Sequence, residues 1–272
     1  MSKFDNDYKV LLADILNQPP ELNKRTGHAV RAIAGATIEV DLEEDGFPLL
    51  SLRKLPWSFV PEVMWMLSGS RTLSWLSGHT KIWDSFVEED GTIAAAYGHR
   101  MRHTFGVDQI SEVLRKLSED PSNRHGVVQI WDAADDLTIP KKNVPCPVMF
   151  TVNVIRGRLN LHLVIRSNDM VLGHPTDVAG FALITHLIAN KLNLMPGKFT
   201  VSISNAHIYE NQVEVAKELL SRESKTEEVR FISPRDAYSR AVVLDPELIG
   251  EIKKAFSGYF PGEAIKNIPI AL

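Results

Sequence analysis

Cysteine is almost absent from this sequence. Cys146 stands alone in 272 residues, so no internal disulfide can form and a disulfide-stapled scaffold is excluded. Long hydrophobic runs are missing too. None approaches the ~20 apolar residues of a bilayer-spanning helix, which excludes an integral helical membrane protein. The opening MSKFDNDYKVLLADI lacks the basic start, apolar stretch and small-residue cleavage site of a secretory signal. With the single thiol, this leads us to expect a reducing, cytoplasmic setting. Positive charge is not in excess either. Lys and Arg number 30 against 34 Asp and Glu, a net charge of -4, whereas broad nucleic-acid binding needs a basic face. A local arginine cluster can still hold a small anion. The common glycine-rich phosphate loops, H-E-x-x-H and G-x-S-x-G do not occur, so phosphate-loop, dinucleotide, zinc-protease and serine-hydrolase readings fall. His99 and His103 could share a helical face. No third ligand pattern accompanies them, and no metal is expected.

What is present is an ordinary globular mix, 44% hydrophobic and 24% charged. A chain of this length can bury roughly three quarters of its unfolded surface. No repeat, low-complexity tract or linker interrupts it, so residues 1–272 read as a single domain. The apolar segment 57–76 predicts one or two helices broken near Gly69. Ile110, Val113, Leu114 and Leu117 recur at helical spacing and predict an amphipathic helix over 109–118. Residues 176–194 are apolar on nearly every face, as a buried helix is, with Thr176 and Asp177 as candidate N-caps. Strands are expected at 127–131, 147–155, 158–165 and 198–204. The two middle ones flank Arg156-Gly157, which suggests a hairpin. Helices mixed with a sheet that is at least partly antiparallel make an α+β fold.

Two residues stand out on chemical grounds. A lone cysteine is most often a small buried hydrophobe, but a nearby cation lowers its pKa and makes it reactive. If the hairpin pairs as read, Arg166 returns to the neighbourhood of Cys146, and Ser167, Asn168 and Asp169 continue a polar strand end.

The segment around them carries a resemblance. PCPVMFTVNVIRGRLNLHLVIRSNDMVLGHPTDVAGFALITHLIA resembles the core of the thymidylate synthase family: a Pro-Cys nucleophile, a hairpin, Arg-Ser-x-Asp-x-x-Leu-Gly-x-Pro, then a buried helix. Further matches keep the family's order. RTG at 25–27 resembles its phosphate-binding loop, DGFPLLSLRK the strand that follows, and PEVMWMLSG the helix of the catalytic glutamate. KIWD and AAYGHRMR resemble the folate-side tryptophan and active-site tyrosine, and DPSNRHGVVQIW the segment that donates phosphate arginines across the dimer. NAHIYENQ resembles the ribose-binding His-x-Tyr and NIPIAL the closing tail. The resemblance covers about residues 20–272. It implies a large mixed, mainly antiparallel sheet with a buried central helix, and a sheet-to-sheet homodimer. The co-substrate implied is 5,10-methylenetetrahydrofolate, with neither nucleic acid nor membrane as partner.

The resemblance also implies roles. Cys146 would add to C6 of a pyrimidine so that C5 becomes nucleophilic. Arg166 would bind phosphate and stabilise the thiolate, with Arg25 and Ser167 completing the cradle and Arg124 reaching in from the partner subunit. His207 and Tyr209 would bond the 3′-hydroxyl. Glu62 would serve proton transfers, and Tyr97 would help remove the C5 proton. Trp83, Asp169, Asn143 and Gly173 would contact the folate.

One departure bears on substrate. In HPTDVAGFA the family's usual Pro-Phe-Asn is Pro-Thr-Asp. Asparagine offers uracil one donor and one acceptor, whereas ionised Asp177 only accepts. Uracil O4 would meet an unpaired acceptor at a cost of ~1–3 kcal/mol, while the cytosine amino group would donate. The same substitution is seen in the family's deoxycytidylate hydroxymethylases, which add water where thymidylate synthases add hydride. The expected activity is therefore 5-hydroxymethylation of dCMP or CMP. The alternative is methylation of dUMP with Asp177 protonated. Pro147, Ile165, Phe86 and His125 also depart from the family pattern, as does Asn143, which would make the folate side more polar.

Overall fold

The computed structural model describes residues 1–24, 26–142 and 144–270. Among them seven strands form one sheet: β1 (Glu21–Leu22), β2 (Ala29–Asp41), β3 (Val127–Gln129), β4 (Pro147–Ile155), β5 (Arg158–Ile165), β6 (Asn168–Asp169) and β7 (Met195–Tyr209). Their order is β1-β2-β7-β5-β4-β3, with β6 beside β7. The β1/β2, β2/β7, β4/β5 and β3/β4 pairs are antiparallel; β7 runs parallel to β5 and β6. The expected mixed, mainly antiparallel sheet is present.

The β4–β5 hairpin has the bounds read from the sequence. Arg156 and Gly157 both take positive φ, 54° and 74°, the twist that suits a two-residue hairpin turn. Leu159, Leu161, Leu163 and Ile165 alternate into the core, and Phe199, Val201 and Ile203 do the same on β7. His162 is exposed on the opposite face, where its Nε2 meets Ser202 Oγ at 2.8 Å. The helices that shape the site are α1 (Lys3–Leu16), α2 (Phe59–Ser68), α3 (Tyr97–His99), α4 (Gln109–Glu119), α5 (Ala133–Asp136) and α6 (His174–Lys191). Helix α6 packs against α2 on one side and strands β5 and β7 on the other, and 14 of its 18 residues are buried. No helix among the described residues is long and apolar enough to cross a membrane.

Three expectations need correction. Segment 45–54 is not a strand. Pro48 carries no N–H, and the neighbouring backbone bonds outward to loops instead, Phe47 N–H to Val229 and Gly262 N–H to Ser51. The strand expected at 127–131 stops at Gln129, because Ile130 and Trp131 both donate to the Val148 carbonyl and end the ladder. Neither Thr176 nor Asp177 caps α6. The helix begins two residues earlier, after Gly173, since Pro175 is preorganised for a first turn. The Asp177 carboxylate is thereby freed from capping. The helix expected over 57–76 does break at Gly69, which ends α2 with φ 75°.

Candidate active site

A cavity of about 230 Å³ opens where α2, α3, the start of β4 and the first turns of α6 meet. Its wall brings together Glu62, Trp83, Tyr97, Cys146, Gly173 and Asp177 from five separate stretches of chain. Apolar groups fill in between them, notably Phe59, Ile82, Phe86 and Phe181. Close backbone approach makes this convergence possible. A side chain at Gly98 would place its Cβ 2.1 Å from the Met66 carbonyl, so only glycine lets α3 press Tyr97 against α2.

Cys146 is half-buried and opens β4 opposite the end of β5, where Pro147 pairs with Ile165 and the Arg166 N–H donates to the Cys146 carbonyl at 2.9 Å. The Arg166 guanidinium bends back over the same loop. Its Nε donates to Pro145 at 2.8 Å and its Nη2 to Val144 at 3.2 Å, and it lies 5.4 Å above the Trp131 ring. A fixed positive charge therefore stands at the base of the strand that carries the thiol. Ser167 is half-buried beyond it.

The two carboxylates of the cavity are unusual. Burial pushes Glu62 up to about 7; the charge of Asp177 adds to this, while Ser58 and the Trp83 indole N–H oppose it. The Trp83 Nε1 is itself buried and lacks a hydrogen bond of good geometry. Asp177 is also held near 7. Burial is the main cause and Asp169 contributes, against a 2.8 Å hydrogen bond from Asn168 Nδ2 to Asp177 Oδ2. Burial likewise raises the Tyr97 hydroxyl well above 10, and the nearby Cys146 and Asp177 add to it. Two acids poised near neutrality beside a cysteine can give or take protons at physiological pH.

The remaining expected residues lie around rather than in this wall. Asp169 spends Oδ1 on the N–H groups of Val171 and Leu172, both at 2.9 Å, and Oδ2 on Gln212 at 2.8 Å. Gln212 Nε2 also donates to the Pro269 carbonyl at 2.9 Å, which ties the tail to the same carboxylate. His207 and Tyr209 are buried at the end of β7, beside Asp169 through the β6–β7 pairing, with rings 5.0 Å apart. Arg124 is exposed in the loop before β3 and does not line the cavity of its own chain. Arg25 and Asn143 lie outside the described residues. His99 and His103 rings stand 5.1 Å apart; among the described residues no group of three or more potential ligands is placed for a metal.

Sequence reasoning placed Asn168 in the polar strand end without giving it a role, and passed over His174. His174 is fully buried and its Nδ1 lies 2.6 Å from Asn168 Oδ1, which places both directly behind Asp177. His174 follows the apolar Met170-Val171-Leu172 with a side chain that needs a partner, and that was the available signal.

The arrangement of cysteine, arginine and poised carboxylates agrees with a comparison of the whole chain against protein-family models. Residues 6–248 match the model described as thymidylate synthase. The chain therefore belongs to the thymidylate synthase family, whose enzymes transfer a one-carbon unit from methylenetetrahydrofolate to a pyrimidine nucleotide.

Proposed function

We propose that the enzyme hydroxymethylates C5 of a cytidine nucleotide, dCMP or CMP. The observation that carries this reading is Asp177: a carboxylate, rather than an amide, lines the cavity that also holds Cys146 and Glu62. An ionised carboxylate accepts from the cytosine amino group and repels uracil O4. Once the Cys146 sulfur bonds to C6, cytosine N3 becomes basic, and Asp177 stabilises its protonated form more than the free base. Binding that grows along the reaction coordinate is what accelerates it.

In this reading Arg166 holds the nucleotide phosphate and favours the thiolate, aided by Ser167 and by Arg25. His207 and Tyr209 hold the sugar. Methylenetetrahydrofolate supplies the one-carbon unit at the formaldehyde level. The apolar wall of Ile82, Trp83 and Phe86 fits a flat heteroaromatic ring, and Asp169, Gly173 and Asn143 are proposed as further folate contacts. Tyr97 helps remove the C5 proton as the bond between the transferred carbon and the folate nitrogen breaks, which releases tetrahydrofolate and leaves an exocyclic methylene on C5. Glu62, near 7, orients the water that adds to the exocyclic methylene as the C6–sulfur bond breaks and the thiolate leaves. The chain acts as a homodimer joined through the outer sheet face, and exposed Arg124 serves the phosphate site of the partner. Sedimentation of the purified protein as a monomer at micromolar concentration would remove that part.

Product mass spectrometry tests the reaction. The enzyme is given methylenetetrahydrofolate and an equimolar mixture of dCMP, CMP, dUMP and UMP. A cytidine nucleotide gaining CH2O is the expected result and identifies the sugar. A gain of CH2 on dUMP overturns it.

The raised pKa of Asp177 favours a second reading, methylation of dUMP. Protonated, Asp177 presents a donor as asparagine does. The two readings part on pH: preference for cytidine over uridine nucleotides should rise by about tenfold between pH 6 and pH 8, the size of one hydrogen bond made or lost. A ratio is used because Glu62 titrates in the same range for both substrates. A flat ratio would count against Asp177 as the selector.

A further inference from the structure

Asp177 meets a single amide on its blind side, and that amide can in principle face either way. Asn168 is 2% exposed and stands between Asp177 Oδ2 at 2.8 Å and His174 Nδ1 at 2.6 Å. In one sense its NH2 donates to the carboxylate and its carbonyl accepts from a protonated Nδ1. In the reversed sense the carbonyl faces Asp177, which must then carry a proton on Oδ2, and the NH2 faces a bare Nδ1.

The far end of His174 decides between them. Its Nε2 is buried without a hydrogen-bond partner. The ring stacks on Tyr8 at 6.0 Å with an interplanar angle of 5°, and on Phe4 at 6.3 Å. The Tyr8 hydroxyl is already committed to the Met170 carbonyl at 2.7 Å. Burial drives the His174 pKa down to about 3, so the ring is neutral and carries one proton only. The reversed sense would put that proton on Nε2, an N–H buried with nothing to receive it. It would also leave the carboxyl neutral. The forward sense leaves only a bare lone pair, which is the milder of the two defects.

We propose that His174 is a specificity-positioning residue: through the Asn168 amide it holds Asp177 as an acceptor and so sets the preference for cytosine over uracil. With Oδ2 saturated by Asn168, Oδ1 is left for the base. His174 never touches the nucleotide; it acts two side chains away. This rests on the cytidine-nucleotide reading above.

The test uses the full-length protein and two variants. His174→Phe keeps the ring volume and the stacking on Tyr8 but has no proton to donate. His174→Asn keeps a donor near the position of Nδ1. The readout is the ratio of kcat/KM for the preferred cytidine nucleotide to that for its uridine counterpart. It should fall by about tenfold in His174→Phe, as expected for one hydrogen bond, and recover in His174→Asn. If both values of kcat/KM fall together and the ratio is unchanged, His174 is merely structural and the inference is overturned. Nitrogen–proton NMR of the 15N-labelled wild type, assigned with the phenylalanine variant, should find the His174 proton on Nδ1. A proton on Nε2 in an enzyme active on cytidine nucleotides overturns the inference alone. A wild type that ignores cytidine nucleotides sinks the proposed function and the selectivity role with it, whatever the tautomer.

Discussion

Two clusters of acids among the described residues are built on opposite principles. Around Arg100, Asp132 and Asp136 stand 3.0 Å away and Asp135 pairs as well, while Lys141 lies 2.9 Å from Asp135 and 3.4 Å from Asp136. Arg100 is 2% exposed and Asp136 is buried with it, while Asp132 and Asp135 are half-buried at the rim, so each acid has a counter-ion at hand. Burial pulls the Asp135 pKa up, but hydrogen bonds from Lys141 and Arg100 outweigh it and hold the carboxyl below its usual range. In the cavity no cation relieves Glu62 or Asp177: burial raises both, Asp177 adds to the burden on Glu62 and Asp169 to that on Asp177, and both sit near 7. The first cluster fixes α5 against the π-turn at Arg100–Thr104. The second leaves protons loosely held where a substrate would enter. A protein tolerates such uncompensated acid chiefly where chemistry needs it.

The largest effect that would sharpen the contrast is on catalysis. Cys146→Ser should lower kcat on the order of 10^4-fold or more, as removal of a nucleophile does, with Tm little changed. A steady-state assay beside a melting curve reads both. The reverse pattern is expected of Arg100→Met. Three aspartates would lose their central cation at a cost of ~3–5 kcal/mol, measured by urea unfolding, while nucleotide preference stays as in the wild type. Unaltered stability in that variant would break the comparison.

Asp177→Asn comes next. The folded pKa of Asp177 lies above the unfolded one, so this group's contribution is intact below about pH 4 and lost as pH climbs through about 7. Asparagine has no proton to lose. The variant should therefore gain on the order of 4 kcal/mol over wild type at pH 8 and almost nothing at pH 4. Calorimetry at the two pH values checks the sign, and an equal gain at both would refute the assignment. Substrate preference should move towards uridine nucleotides in the same protein. The smallest effect belongs to Arg115, half-exposed on α4 between Glu112 and Glu119. Arg115→Ala should leave Tm unchanged within error, because solvent already screens that pair of bridges.

How far the sequence foretold this depended on how local the cause was. The hairpin was legible to the residue because Leu159, Leu161 and Leu163 alternate on one side of Arg156-Gly157. Strand β2 was not, although it is 13 residues long. Its AVRAIAGATIEVD is rich in alanine, broken by Gly35, and weak in β-forming side chains; it is a strand because β7 pairs along it. Segment 45–54 failed the other way. Its buried Phe47, Leu49, Leu50 and Leu52 look like strand residues, yet their burial comes from irregular chain.

Within the site, Cys146, Arg166 and Asp177 were legible from chemistry and family pattern. What the sequence did not convey was that Glu62 and Asp177 share one enclosure, because the chain walls that bury them, and the Asp177 charge that acts on Glu62, come from over 100 positions away. The His174–Asn168 link was hidden for a related reason. The two are six residues apart, but the direction of a buried amide follows from what surrounds it in space.

The lone, half-buried Cys146 at the cavity also has a practical consequence. A chain with one thiol carries its own counter of competent sites. A single equivalent of a thiol-directed chromophore, measured with and without nucleotide present, reports occupancy directly and needs no engineered cysteine-free background. Stoichiometry per protomer, and any inequality between two protomers of a dimer, would be read from the same titration.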